Sequence, residues 1–228
     1  AKQLNMKFKI IEYPSSYLTI EFDKDEKLIT EKGSLIYCDG EYMFENKIEV
    51  KGFKNWIAKI FGGKSLTYNI YTAQEKLKMA LSTKDNSEIF SLNISDENPI
   101  VFEPNLHFAR SIGIDIKLEK KDWKSTLNDG FKLKTYGNGE LFLKGYGKII
   151  EQEINSSKPV YVDEDALIAF EDKLKIETIS RSVKELITSG EGYLYSIKGN
   201  GKIWIQTRKE GENASSGGLI EGVFSFLK

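Results

Sequence analysis

The chain has 228 residues, 40% of them hydrophobic, enough to bury a real core in one large all-β domain or two small ones. Thirty-three basic and 34 acidic side chains leave a net charge of -1, which argues against a nucleic-acid-binding domain, because such domains bind by neutralising phosphates. A single cysteine, Cys38, excludes an intrachain disulfide and fits a reducing compartment.

The first ten residues, AKQLNMKFKI, lack the apolar region of a signal peptide, and no apolar run reaches the length of a membrane span. A cytoplasmic location is the expectation. Residues 6–11 and 17–22 read as strands around Pro14-Ser15-Ser16, and 23–27 as a charged turn. The next apolar segment is 29–37, ITEKGSLIY. At 53–61 the period changes. With Asn55 as a cap, Trp56, Ile57, Ile60 and Phe61 share one face of a short helix that Gly62-Gly63 ends. Leu66, Tyr68 and Ile70 then alternate as a strand, and so do Leu77, Met79 and Leu81. A turn at 85–87 leads into a strand at 89–94, and further strands are expected at 112–118 and 174–179. The end is different in kind. Residues 211–218 are flexible by composition, and after them Leu219, Ile220, Val223, Phe224 and Leu227 fall on one helical face.

Two repeats organise this chain. Segments 29–37, 101–109 and 161–169 share one shape, at spacings of 101 − 29 = 72 and 161 − 101 = 60 residues. Segment 135–152 also recurs at 188–206. Gly137 and Gly139 match Gly190 and Gly192, and after one insertion Gly145, Gly147, Lys148, Ile149 and Gln152 match Gly199, Gly201, Lys202, Ile203 and Gln206. Each copy is expected to form a turn, a short strand, a second turn and a second strand, with Leu141, Leu143 and Leu194 alternating on half-buried strands. The expected organisation is one compact domain, 1–228. It holds three tandem modules, about 1–95, 96–152 and 153–207, sharing a core into which Ile168 points, and an amphipathic tail at 208–228.

The pattern resembles a known family, the mitochondrial biogenesis (altered-inheritance-of-mitochondria) proteins and their prokaryotic relatives, over roughly residues 29–227. The motifs that carry the resemblance are Phe61-Gly62-Gly63-Lys64-Ser65, the segment 104–109, the paired glycine units, Asp165-Ala166-Leu167-Ile168-Ala169 and the segment 201–207, GKIWIQT. Lys64 stands where the family usually has Glu, and Asn105 where Gly is common. The resemblance implies an all-β, TRAP-like double-stranded β-helix or sandwich. Its three pseudo-repeats would sit about a pseudo-threefold axis, with short helical segments. It implies little about activity. The mitochondrial members are linked to inner-membrane organisation, which points to scaffolding near membranes.

Chemistry-bearing residues are sparse. His107 is the only histidine and stands in the repeat where Leu35 and Leu167 stand, so it reads as a strand residue in an apolar slot. One histidine supplies neither a metal cluster nor a triad, and no metal or cofactor is expected. Cys38 has no activating neighbour in sequence. Asp163 and Asp165 belong to a turn, and the Gly-x-Gly pairs lie between strands, where a phosphate loop would need a following helix. The expectation is a non-catalytic binding or scaffold protein. Trp56, Ile57, Ile60, Phe61, Leu219, Ile220, Val223, Phe224 and Leu227 are its candidate contacts with a protein partner or membrane surface, and a homo-oligomer is compatible with it. The alternative is RNA binding, by analogy with the tryptophan RNA-binding attenuation protein, through a stripe of Lys132, Lys134, Lys144 and Lys148.

Overall fold

The computed structural model describes residues 7–48, 67–119, 132–179 and 194–209. The expected helical face of Trp56, Ile57, Ile60 and Phe61, the tail residues Leu219, Ile220, Val223, Phe224 and Leu227, and Gly190 with Gly192 all lie outside these described residues. Within them the chain is all-β, apart from a 3-10 turn at Pro104–Leu106.

The strands follow in order: β1 (Lys7–Ile11), β2 (Tyr17–Phe22), β3 (Lys27–Glu31), β4 (Leu35–Asp39), β5 (Tyr42–Ile48), β6 (Thr67–Ala73), β7 (Leu77–Ser82) and β8 (Glu88–Ile94). Then come β9 (Ile100–Phe102), β10 (His107–Ser111), β11 (Ile114–Glu119), β12 (Lys132–Gly137), β13 (Gly139–Gly145), β14 (Ile149–Asp163), β15 (Leu167–Glu171), β16 (Lys175–Ile179) and β17 (Leu194–Gln206). They form three sheets. One has the order β1-β2-β7-β4, a second β5-β6-β3-β10-β13-β8, and a third β11-β12-β9-β15-β17-β14, with β16 also on β17.

One pairing scheme recurs three times. β3, β9 and residues 160–163 of β14 pair with β6, β12 and the first part of β17. β5, β11 and β16 pair with the other edge of those same three strands. β4, β10 and β15 pair with β7, β13 and the second part of β17. The scheme repeats even in its irregularities. The register shifts between Leu35 and Tyr37, between His107 and Ala109, and between Leu167 and Ala169. The extra residue of each β-bulge is therefore Ile36, Phe108 or Ile168, and each bulge bends its strand at the same place.

This register corrects the glycine repeat. Leu133 opposes Phe102 as Tyr195 opposes Val162, and Phe142 opposes Ala109 as Trp204 opposes Ala169. The counterparts of Gly137 and Gly139 are thus Gly199 and Gly201. The second unit is also not a turn between two strands. β17 runs unbroken through Gly199-Asn200-Gly201 and serves two pairings in succession, against β16 and then β15. Gly199 has φ +119 and takes the bend there without a side chain to strain. Smaller corrections concern strand edges and faces. Ile112 lies exposed in a turn before β11, and Leu174 precedes β16. β13 buries Leu141, Phe142 and Leu143 together, because both of its faces are covered.

Apolar side chains gather in successive clusters. β2, β3, β7, β10 and β13 build one around Phe22, Met79, Phe108 and Phe142. β8, β9, β13 and β15 build the next around Phe102, Leu141 and Ile168. β14 to β17 build another around Phe170, Ile197 and Ile203. Strict alternation survives in β7, where Leu77, Met79 and Leu81 are buried between more exposed neighbours.

Candidate functional site

The six-stranded sheet carries charge into this apolar interior. β10 places Arg110, fully buried, beside His107, because its two faces are both covered and its FARS run leaves no solvent face. Arg110 Nη1 donates to His107 Nε2 at 3.0 Å, so Nε2 is an acceptor and the imidazole is neutral. Burial first, then the Arg110 charge, holds this histidine well below the ordinary imidazole range. Arg110 Nε donates to Ile114 O at 3.1 Å, and its guanidinium lies 4.9 Å from the Tyr68 ring centre. The Tyr68 ring in turn meets His107 edge-on at 4.7 Å.

Nearby, β13 and β3 bring Lys144 between two carboxylates, with Nζ 2.9 Å from Glu31 Oε2 and 3.2 Å from Asp85 Oδ2. Tyr146 donates to Asp85 Oδ2 at 2.9 Å, and Ser87 Oγ to Asp85 Oδ1 at 2.5 Å. Burial raises the Glu31 carboxyl more than Lys144 lowers it. At Asp85 burial is outweighed by the Ser87 hydrogen bond and the Lys144 charge, and the carboxyl falls. Lys144 rises, since its two carboxylates outweigh its own desolvation. Among the described residues Glu31 Oε1 and His107 Nδ1 are buried without a hydrogen-bond partner, while Asp85 and Tyr146 reach the surface, so the layer is a partly buried network of charge.

The lysine stripe is not a free cationic surface. Lys132 is buried and ion-paired to Glu103, Lys134 pairs with Asp172 and Glu119, and Lys144 is held as above. Burial pulls the Lys132 ammonium down to about 8. Lys148 alone of the four is exposed. Asp163 accepts from the Asp165 backbone at 2.9 Å, and both carboxylates face Lys209, as a turn requires. Glu171 accepts from Lys202 N at 2.9 Å. Cys38 is half-buried, and burial pushes its thiol up. Among the described residues no group of three or more His, Cys, Asp or Glu side chains is placed to hold a metal ion. Among them, too, no helix is long and apolar enough to cross a membrane.

The surface that stands out lies on β4 and β5, which follow one another in the chain but belong to different sheets, β4 on β7 and β5 on β6. Ile36, Tyr37, Tyr42, Met43 and Phe44 are all exposed. Tyr42 and Phe44 pack their rings against that of Tyr71, a buried member of the first cluster, at 5.4 and 6.2 Å. The counterparts of β5 behave differently: β11 packs Ile114 and Ile116 inward, and β16 packs Ile176. The same two strands and the turn between them carry Asp39, Glu41 and Glu45, so the rim of this surface is acidic. Sequence reasoning passed over this surface and over Arg110. A signal was present for both: two aromatics and a Met within three residues at 42–44, and an arginine inside an apolar strand.

An all-β chain with one strand-pairing scheme used three times, bulges included, is a repeat-built β protein whose β4 and β5 are more exposed than their counterparts. It belongs to the mitochondrial biogenesis AIM24 family, whose model matches residues 8–208. A crystal structure of the Streptococcus pyogenes protein SPYM3_0169 is similar in fold, with a TM-score of 0.70 at 17% identity, covering 97% of this chain and 98% of that one. No curated protein matches the chain.

Proposed function

We propose that this member of the family is a non-catalytic binding or scaffold protein of the cytoplasm that presents the exposed side chains of β4 and β5 to a protein partner. The observation that carries the reading is the exposed set Ile36, Tyr37, Tyr42, Met43 and Phe44 on two successive strands: the counterparts of Ile36, Tyr37 and Tyr42 in the other rounds are buried, and those of Met43 are the charged Asp115 and Lys175. Aromatic and methionine side chains of this kind are enriched at interfaces. The acidic rim of Asp39, Glu41 and Glu45 favours a basic protein surface over an anionic membrane. The membrane-peripheral reading rests on residues 53–61 and 219–227 and on sequence alone. RNA binding has less support, since three of its four lysines are occupied by carboxylates. The threefold recurrence of pairing supports a TRAP-like double-stranded β-helix built of three modules; of the three contacts that would place them about a pseudo-threefold axis, two are formed among the described strands.

A photo-crosslinking amino acid at Phe44 in cells tests the reading. The expected result is a discrete protein adduct that does not form when the probe stands at the exposed Tyr13. The same adducts at both positions, or none at Phe44, would count against it.

A further inference from the structure

The pairing scheme contains a contact that two rounds make and the third does not. β3 pairs with β10 in the register Thr30 to Ala109, Ile29 to Arg110 and Leu28 to Ser111. β9 pairs with β15 in the corresponding register, Phe102 to Ala169, Val101 to Phe170 and Ile100 to Glu171. The strands left over are residues 160–163 of β14, the counterpart of β3 and β9, and β4, the counterpart of β10 and β15. Each ends its sheet: β4 closes the order β1-β2-β7-β4, and β14 closes the order that ends β15-β17-β14.

Among the described residues no ladder joins these two edges, and their side chains pack on different clusters. Where the contact is made, opposed strands share a cluster: Leu28 with Ala109, Phe102 with Ala169, and Val101 with Phe170. Leu35 and Cys38 of β4 pack on one cluster, whereas Val160 and Val162 of β14 pack on another. At the bulge, Ile36 is 61% exposed, against 0% for Phe108 and 1% for Ile168. Tyr161 is 57% exposed, against 4% for Ile29 and 0% for Val101. An uncovered strand edge flanked by apolar side chains is a template for another strand.

We propose that a second copy of this chain completes the contact, β4 of each subunit pairing antiparallel with residues 160–163 of its partner. The two free edges on one chain are complementary in kind, so two copies related by a twofold axis satisfy both at once. The two formed contacts fix the register: Tyr37 opposite Val162, Cys38 opposite Tyr161 and Asp39 opposite Val160. Pro159 does not oppose this, because Pro99 stands at the same place before β9 and its carbonyl accepts from Asp172 N at 3.0 Å. The contact uses Ile36 and Tyr37 of β4, which the partner surface proposed above also includes, and leaves Tyr42, Met43 and Phe44 of β5 to that partner.

The experiment uses the single native cysteine. Tyr161→Cys in the full chain places a second thiol directly opposite Cys38, at a spacing a disulfide spans. Tyr161 is exposed, so the variant folds. Under mild oxidation the expected product is a disulfide-linked dimer that loses its link in the Cys38→Ser background. Val162→Cys, facing Tyr37, gives little of it. Light scattering of the wild type is expected to give twice the 26.0 kDa chain mass. An intrachain link, which would mean that the two edges zip within one molecule, overturns the proposal. So does a wild-type monomer at tens of micromolar, or equal crosslinking at positions 161 and 162.

Discussion

Arg110 donates to His107 at 3.0 Å in a fully buried site, so burial first and then a permanent cation keep an imidazole neutral. In the unfolded chain this histidine takes a proton as pH falls through about 6.5, while in the folded chain it resists. A depressed folded pKa contributes stability that is present above the unfolded pKa and lost below it. Urea midpoints are therefore expected to fall progressively below about pH 6.5. Glu31, with its raised pKa, works in the opposite sense at lower pH. His107→Gln keeps an acceptor for Arg110 and has nothing to titrate, so its midpoint should lose less between pH 6.5 and 5.5 than that of the wild type. Equal slopes would show that His107 protonation is not coupled to folding.

Lys144→Met tests the second charged group. It leaves Glu31 and Asp85 facing each other half-buried without their cation, at an expected cost of about 3 kcal/mol. Adding Glu31→Gln should recover part of that loss. A double variant no more stable than Lys144→Met alone would contradict a coupled pair.

Glycines in left-handed backbone are not equivalent here. Gly137 has φ +89, and an added Cβ would run into the Gly113 carbonyl, which is backbone and cannot swing away. Gly147 has φ +71 but meets only the side chains of Thr207 and Arg208. Gly147→Ala is expected to cost roughly 1–2 kcal/mol of backbone strain. Gly137→Ala should cost at least about 1 kcal/mol more. Chemical denaturation ranks the two, and the reverse order would place the strain elsewhere.

Ile168 is 1% exposed at its bulge, and its Cδ1 lies where a Cβ on Gly145 would be. Ile168→Ala should cost roughly 2–5 kcal/mol by the cavity it leaves. A loss below about 1 kcal/mol would mean that the strand collapses into the gap.

What was legible in the residues follows from their physics. Strict alternation in 77–81 and the turn at Pro14 gave β7, β1 and β2 nearly to the residue, since each pattern admits one periodicity. The spacings of 72 and 60 residues also hold in the strand register. The glycine units slipped because Gly-x-Gly recurs at 137–139, 145–147, 190–192 and 199–201, and nearly equal spacings let the wrong pairs match. Only cross-strand partners decide between them. The charged layer was not legible at all. Glu31, Asp85, Arg110 and Lys144 come from four distant segments, and nothing local marks a charge that will be buried.

The divided sheet bears on how the chain is made. The six-stranded sheet takes strands from two rounds, so β3 waits for β10, and β8 waits for β13. β15 and β9 likewise wait for β17 and β12. A chain leaving the ribosome therefore holds half-built sheets until roughly thirty to eighty residues more have emerged, and long-range pairing of this kind is slow. β4 is the strand that goes on waiting after synthesis is over.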